Sequence, residues 1–228
     1  MRINIALRLL SFAALTCICS VAQQQRTEDF LSQKGISSIA VLPPLGESVP
    51  NSARQLSADL FVTKLRSRSG VHLMAADESL SRLQQKEVTN DFAVLVTTLS
   101  QTGIVNGDLL KKIGQSMGTD ALLLIHLVNY DEEKGSWWYG KGGKNICRIE
   151  YTLYRSSDAG KIWETLEFRQ HDSKVSTNPY PMERVIGDVS DRAVASLLMG
   201  RQNTDVRQGS AEEDKQKNDD ARPIFQGN

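Results

Sequence analysis

The chain has 228 residues, 40% of them hydrophobic, and sets 27 basic against 27 acidic side chains. A balance that close to neutral gives no reason to expect nucleic acid or an anionic membrane as its partner. Its three cysteines, Cys17, Cys19 and Cys147, exclude a disulfide scaffold, so stability must come from a hydrophobic core, for which this length is ample. Residues 1–22 have the pattern of a secretory signal: Arg2 and Arg8, the apolar run Leu9 to Cys19, then Ser20-Val21-Ala22 before Gln23. As a helix that run spans only ~17 Å, short of ~30 Å of hydrocarbon, so it predicts no transmembrane anchor. Lipidation at Cys17 or Cys19 is the alternative, although neither follows the leucine and small residue that a bacterial lipoprotein signal places before its cysteine.

Residues 23–35 read as a polar lead-in to an α/β domain over 36–199. Ile36 to Leu42 predicts a strand ended by Pro43-Pro44, which remove two donors. Asn51 or Ser52 is placed to cap a helix carrying Leu56, Leu60, Phe61 and Leu65 inward. That helix closes at Gly70, and Val71 to Ala75 gives a short second strand. Strand, long crossover and strand imply parallel pairing. Asp77 or Ser79 suits the start of a short helix through Leu83. Asn90 to Leu99 reads as helix, with Asn90 as cap and Thr102-Gly103 as stop, although Val94, Val96 and two threonines also suit a strand.

Leu109, Ile113 and Met117 recur at spacing four over Asp108 to Met117, and Gly118 follows where a left-handed stop belongs. Ala121 to Val128 is then almost continuously apolar, which fits a strand covered on both faces. After a charged turn at Asp131 to Gly135, Ile146 to Tyr154 alternates, with Cys147, Ile149, Tyr151 and Leu153 on one face. Lys161 to Gln170 alternates too, so the pair predicts an antiparallel hairpin. Val185 to Met199 is a last amphipathic helix with Val185, Ile186, Val189, Ala193 and Leu197 inward. The expected fold is therefore a single α/β domain of two or three layers. Its mixed sheet is parallel early and antiparallel late. Residues 200–228, with E-E-D-K-Q-K-N-D-D at their centre, have the composition of a disordered polar tail.

Three motifs bear on function. Gly135 to Lys141 satisfies the spacing of a phosphate-binding loop, but two tryptophans and a tyrosine fill the cradle and Gly142 stands where a hydroxyl is needed. It is read instead as a hairpin tip. Either its rings fold back, or Trp137, Trp138 and Tyr139 are displayed with Lys141 and Lys144 to a partner. Ser156, Asp158, Gly160 and Trp163 match the aspartate box of bacterial neuraminidase repeats, and this single copy resembles the structural hairpin of those proteins, not their catalytic centre. In it Asp158 bonds turn amides, Gly160 takes a positive φ and Trp163 covers the hairpin. His72, His126 and His171 lack metal-ligand spacing, and His126 reads as a core histidine. Asp77 with Glu78, and Asp188 with Asp191, suit a helix start and a solvated face better than paired acids. No catalytic residue, cofactor or metal is named.

Ile39 to Pro43, Ile113-Gly114, Gly118 to Leu123 and Asp158 to Trp163, in this order after a signal peptide, resemble the curli-secretion channel subunit superfamily. That broad group includes the amino-terminal domain of the Tol–Pal translocation protein and envelope lipoproteins that activate penicillin-binding proteins. The resemblance covers about residues 36–198. It implies a compact envelope domain, periplasmic or secreted, or an outer-membrane lipoprotein, that works by binding other envelope proteins. An envelope hydrolase with loop-borne acids and a subunit of a secretion assembly are the alternatives.

Overall fold

The computed structural model describes residues 30–173 and 176–202. Residues 1–22, read from the sequence as a signal peptide and carrying Cys17 and Cys19, lie outside those residues, as do most of residues 23–35 and most of residues 200–228. Five strands form one sheet: β1 (Ser38–Val41), β2 (His72–Met74), β3 (Ala121–Glu133), β4 (Lys144–Arg155) and β5 (Lys161–Asp172). Their order is β2-β1-β3-β4-β5. β1 runs parallel to β2 and to β3, whereas β3, β4 and β5 are antiparallel. The helices are α1 (Phe30–Gln33), α2 (Asn51–Arg66), α3 (Ala76–Gln85), α4 (Thr89–Thr102), α5 (Gly107–Met117) and α6 (Met182–Leu198).

Alternation along β1 and β3 divides the apolar residues between two cores, which makes the domain three-layered. Ile39, Val41, Leu123, Ile125 and Leu127 face α2 and α6, where they meet Phe61, Leu65, Val189 and Leu197. Ala40, Leu42, Leu122 and Leu124 face the other way and meet Leu83, Leu95, Leu110, Ile113 and Met117 of α3, α4 and α5. Phe61 and Tyr151 stack with centroids 4.9 Å apart. Each such apolar side chain taken out of water contributes ~1.5–3 kcal/mol.

The early parallel strands have no hairpin to set their register. Asp120 does this from the start of β3. Its Oδ2 accepts from the amides of Ser37 and Ser38 at 2.9 Å each, and from their hydroxyls at 2.6 and 3.0 Å. Its own amide donates to Ser38 Oγ at 3.0 Å, and its carbonyl accepts from the Ser156 amide at 2.9 Å. One residue thus joins β1, β3 and the turn after β4.

Residues 89–102 are helical, and Gly103 and Gly118 close α4 and α5 at φ 68° and 67°. The N-caps differ from the sequence expectation. Pro50, Ala75 and Val88 occupy those positions without a side-chain bond, so Asn51, Ser52, Asp77, Ser79 and Asn90 do not cap. Asn106 caps α5 instead, accepting from the Asp108 and Leu109 amides. α2 stops at Arg66, ahead of Gly70. β3 continues through Asp131 to Glu133, the residues read as a turn, because they pair with Ile146 to Lys144 of β4.

Trp163 is fully buried and its indole N–H donates to the Arg201 carbonyl at 2.7 Å. Trp163→Ala should cost about 3–5 kcal/mol in urea unfolding, the range for emptying a large aromatic site. The Ser37 hydroxyl and amide, and more weakly those of Ser38, hold the Asp120 carboxyl below its ordinary 3.8 against the opposing effect of burial. A lowered folded-state value means that this group stabilises the fold above its unfolded value and loses that contribution as pH falls through the folded one. Asp120→Asn should therefore destabilise the domain at neutral pH by about 1–3 kcal/mol. The variant's unfolding midpoint should also converge on the wild type's in acid.

Candidate functional site

The β3–β4 hairpin runs out to the pair Glu133 and Lys144. Beyond it Ser136 and Lys141 form an isolated bridge, and Trp137–Tyr139 make one 3-10 turn between them. Gly140 closes the turn at φ 60°, its amide donating to the Trp137 carbonyl at 3.3 Å. The three rings are not folded back: Trp137, Trp138 and Tyr139 are 82%, 92% and 80% exposed. Lys141 is exposed beside them and Lys144 is half-buried at the base.

The base of this tip is held by the segment that leads from β5 to α6. The Gly135 amide donates to Thr177 O at 2.7 Å and the Gly143 amide to Ser176 O at 2.9 Å, while Gly143 O accepts from the Ser173 amide at 2.7 Å. Asn145 is fully buried and clasps Tyr180 by both ends of its backbone: Oδ1 accepts from the amide at 2.8 Å and Nδ2 donates to the carbonyl at 3.2 Å. A Cβ on Gly135 would lie 2.2 Å from Lys141 O, and one on Gly143 2.4 Å from Asn178 C. These glycines are points of close backbone approach. The turn that displays the rings stands on a pinned base.

The aspartate-box residues build a different feature. Asp158 Oδ1 accepts from the Gly160 amide at 2.9 Å, and its other oxygen lies 3.2 Å from Arg155 Nη1. The Gly160 amide, with Arg155 assisting, holds the Asp158 carboxyl below its ordinary range. The positive φ falls on Ala159, at 58°, and not on Gly160. Gly160 instead leaves room for Asp158, whose Oδ1 would stand 3.0 Å from a Cβ there. Ser156 packs on α5 where Gly114 has no side chain; a Cβ at Gly114 would sit 2.8 Å from Ser156 Cβ. Trp163 lies beneath, in the core shared with α6.

His126 is not a core histidine. It stands on the solvent side of β3, 38% exposed, with Nδ1 3.6 Å from Glu150 Oε2 on β4. The His126 imidazole, with Lys161 and Arg148 more weakly, holds the Glu150 carboxyl below its ordinary range. The pair lies in a cleft of about 360 Å³ walled by Leu99, Ile104 and Val105 and floored by β3, β4 and β5. His126 belongs to an even-numbered row of β3 that the helices cover only as far as Leu124, which periodicity alone does not show. His171 lies 3.4 Å from Asp188 and edge-on to Tyr180, while Asp191 is bound by Lys64 and Arg68, so Asp188 and Asp191 have separate partners. Asp77 and Glu78 lie in the first turn of α3. Burial pushes the Cys147 thiol up to about 12. Among the described residues no group of three or more His, Cys, Asp or Glu is placed to hold a metal, and no helix is long and apolar enough to cross a membrane.

No family model and no curated protein matches this chain. Solved structures do resemble it. Lipoprotein GNA1162 from Neisseria meningitidis is 22% identical over 61% of this chain and 86% of that one, with a TM-score of 0.40. The PelC dodecamer from Paraburkholderia phytofirmans is 11% identical over 71% and 89%, at 0.47. The LpoB C-terminal domain from Salmonella enterica is 13% identical over 60% and 84%, at 0.37.

Gly143→Ala tests the pinned base. The added methyl must displace the backbone at Asn178, so the domain should lose about 1–3 kcal/mol. Hydrogen exchange should quicken first at the Gly135 and Gly143 amides; unchanged protection there would mean that the tip is not held by this segment.

Proposed function

We propose that this chain is a non-enzymatic accessory or scaffold protein of the cell envelope, periplasmic or secreted, that acts by binding other envelope proteins. The observation that carries this reading is the tip: three adjacent large rings, each at least 80% exposed, held on a pinned turn. Rings fixed before contact lose little freedom on binding, and Trp and Tyr are the side chains that most often dominate interfaces. Trp137, Trp138 and Tyr139 are the anchors, and Lys141 and Lys144 supply charge at their edge. Ser156, Asp158, Gly160 and Trp163 serve the fold. Export rests on the N-terminal pattern, with lipidation at Cys17 or Cys19 as the route to an outer-membrane lipoprotein. The resemblance to the curli-secretion and Tol–Pal group supports a binding role, and the reading requires no cofactor.

An envelope hydrolase is the second reading, and His126 beside Glu150 in an open cleft favours it. Its acids would be strand-borne and not loop-borne. The hydroxyls nearest that pair along β4, Thr152 and Tyr154, belong to residues only 3% and 8% exposed, and burial pushes the Tyr154 phenol up to about 12. Neither is an activated nucleophile.

Capture from envelope extract decides between them. A Trp137→Ala, Trp138→Ala double variant should keep its unfolding free energy within about 0.5 kcal/mol, as exposed positions do. It should also lose its captured protein by tenfold or more, about 1.4 kcal/mol of binding. Equal capture by both baits would remove the tip as the contact surface. Turnover of an envelope substrate that Glu150→Gln abolishes would establish the hydrolase.

A further inference from the structure

The contact surface and a site that fits it lie on the same chain. The end of α4 and the Gly103–Val105 turn stand like a step beside Leu124 of β3 and Tyr154 of β4, above the part of the sheet that holds His126 and Glu150. The riser of that step is apolar, with Ile104 68% exposed, and its foot is the cleft of about 360 Å³ that holds His126 and Glu150. That volume lies at the small end of binding clefts and suits one large ring better than an extended segment. The cleft is lined by two carboxylates, Glu150 and Glu164, and one ammonium, Lys161, which is already 2.8 Å from Glu164. The Glu150 carboxylate has the 3.6 Å approach of His126 as its ion pair, while Lys161 and Arg148 act on it more weakly. Residues 134–144, in contrast, carry three lysines, three rings and no carboxylate.

Resting on the reading of the tip as the contact surface, we infer that its partner is a second copy of this chain: the Trp137–Tyr139 turn of one molecule seats against Ile104 in the cleft of the next, with Lys141 directed to Glu150. The contact is intermolecular. His126 and the hairpin base at Glu133 are separated by roughly 20 Å along β3, and the base is held by Ser176, Thr177 and Tyr180, so the turn does not reach its own cleft. Knob and hole are different surfaces. The interface is therefore heterologous, and each molecule keeps a free tip at one end and a free cleft at the other.

Sedimentation of the exported full chain, from about 1 µM to about 1 mM, covers the weak range expected of so small a contact. The wild type should associate with rising concentration. Trp137→Ala with Trp138→Ala (tip variant), and Ile104→Arg (cleft variant), should each weaken association at least tenfold. Both change exposed side chains, and Glu150→Gln is a milder second cleft variant that should weaken it in the same direction. Mixing the tip variant with the cleft variant should restore a single 1:1 dimer, since one brings an intact cleft and the other an intact tip. A wild type that stays monomeric overturns the inference, as does association that neither variant weakens or a mixture that stays monomeric. If the monomeric wild type still captures an envelope protein through Trp137 and Trp138, the contact-surface reading stands and only the second copy is lost.

Discussion

A single carboxylate oxygen organises the parallel half of this domain. Asp120 Oδ2 gathers four donors from Ser37 and Ser38, and the two strands that follow, β1 and β3, are separated by four helices and a strand. Such distant segments must find each other against loop-closure entropy, with no turn to set their register. A charge-assisted cluster at the first residues holds that register in the folded domain. A slip by one residue would exchange the contents of the two cores, since Ile39 and Leu123 face α2 and α6 while Ala40 and Leu122 face the opposite helices. The same residue receives the Ser156 amide, so it also ties the turn after β4 to the parallel strands, which β3 already joins to the antiparallel half through its ladder with β4.

From that junction β3 and β4 extend beyond the helices. The part under α2 and α6 is made by large buried side chains, with Tyr151 and Trp163 opposite Phe61 and Val189. The part beyond them has little apolar cover and is held by backbone and amide bonds: Gly135 and Gly143 to the 176–177 segment, and Asn145 to Tyr180. Leaving out two Cβ atoms lets the chains approach closely enough for those bonds. Different interactions thus stabilise the two ends of one hairpin, and the rings at the far end owe their position to hydrogen bonding, not to burial.

Much of the fold was legible because it is written in periodicity. Leu109, Ile113 and Met117 at spacing four marked α5, Ala121 to Val128 marked a doubly covered strand, and Cys147 to Leu153 marked the buried face of β4. All are buried in the structure except Leu109, which is half-buried against the second core, and His126 and Val128, which stand open at the end of the covered stretch. What stayed illegible depends on partners remote in sequence. Asp131 to Glu133 look like a turn until β4 pairs with them. His126 looks like a core residue until the helices are seen to stop short of it. The caps failed for another reason: Pro50, Ala75 and Val88 precede helices whose first amides no side chain takes, and propensity does not register that. In the aspartate-box turn a glycine suggested a positive φ, but close approach by Asp158 was its role and Ala159 took the left-handed geometry. A glycine in sequence signals either freedom or proximity, and only the neighbour decides which.

The tip was visible as composition but not as display. Two tryptophans and a tyrosine among glycines are equally consistent with rings folded over a sheet and rings held away from it. The difference is made by Asn145 and by residues 176–180, which follow β5 and bond across the hairpin base. Exposed aromatic clusters promote nonspecific association, and a chain with no use for one is better served by polar residues at a turn. Here the opposite arrangement is supported by a buried asparagine satisfied at both ends and by two glycines that tolerate no side chain. Asn145 also seats Tyr180 against the first core, but the two glycine contacts lie at the base of the tip. They are accounted for if the rings must meet a partner in one fixed orientation.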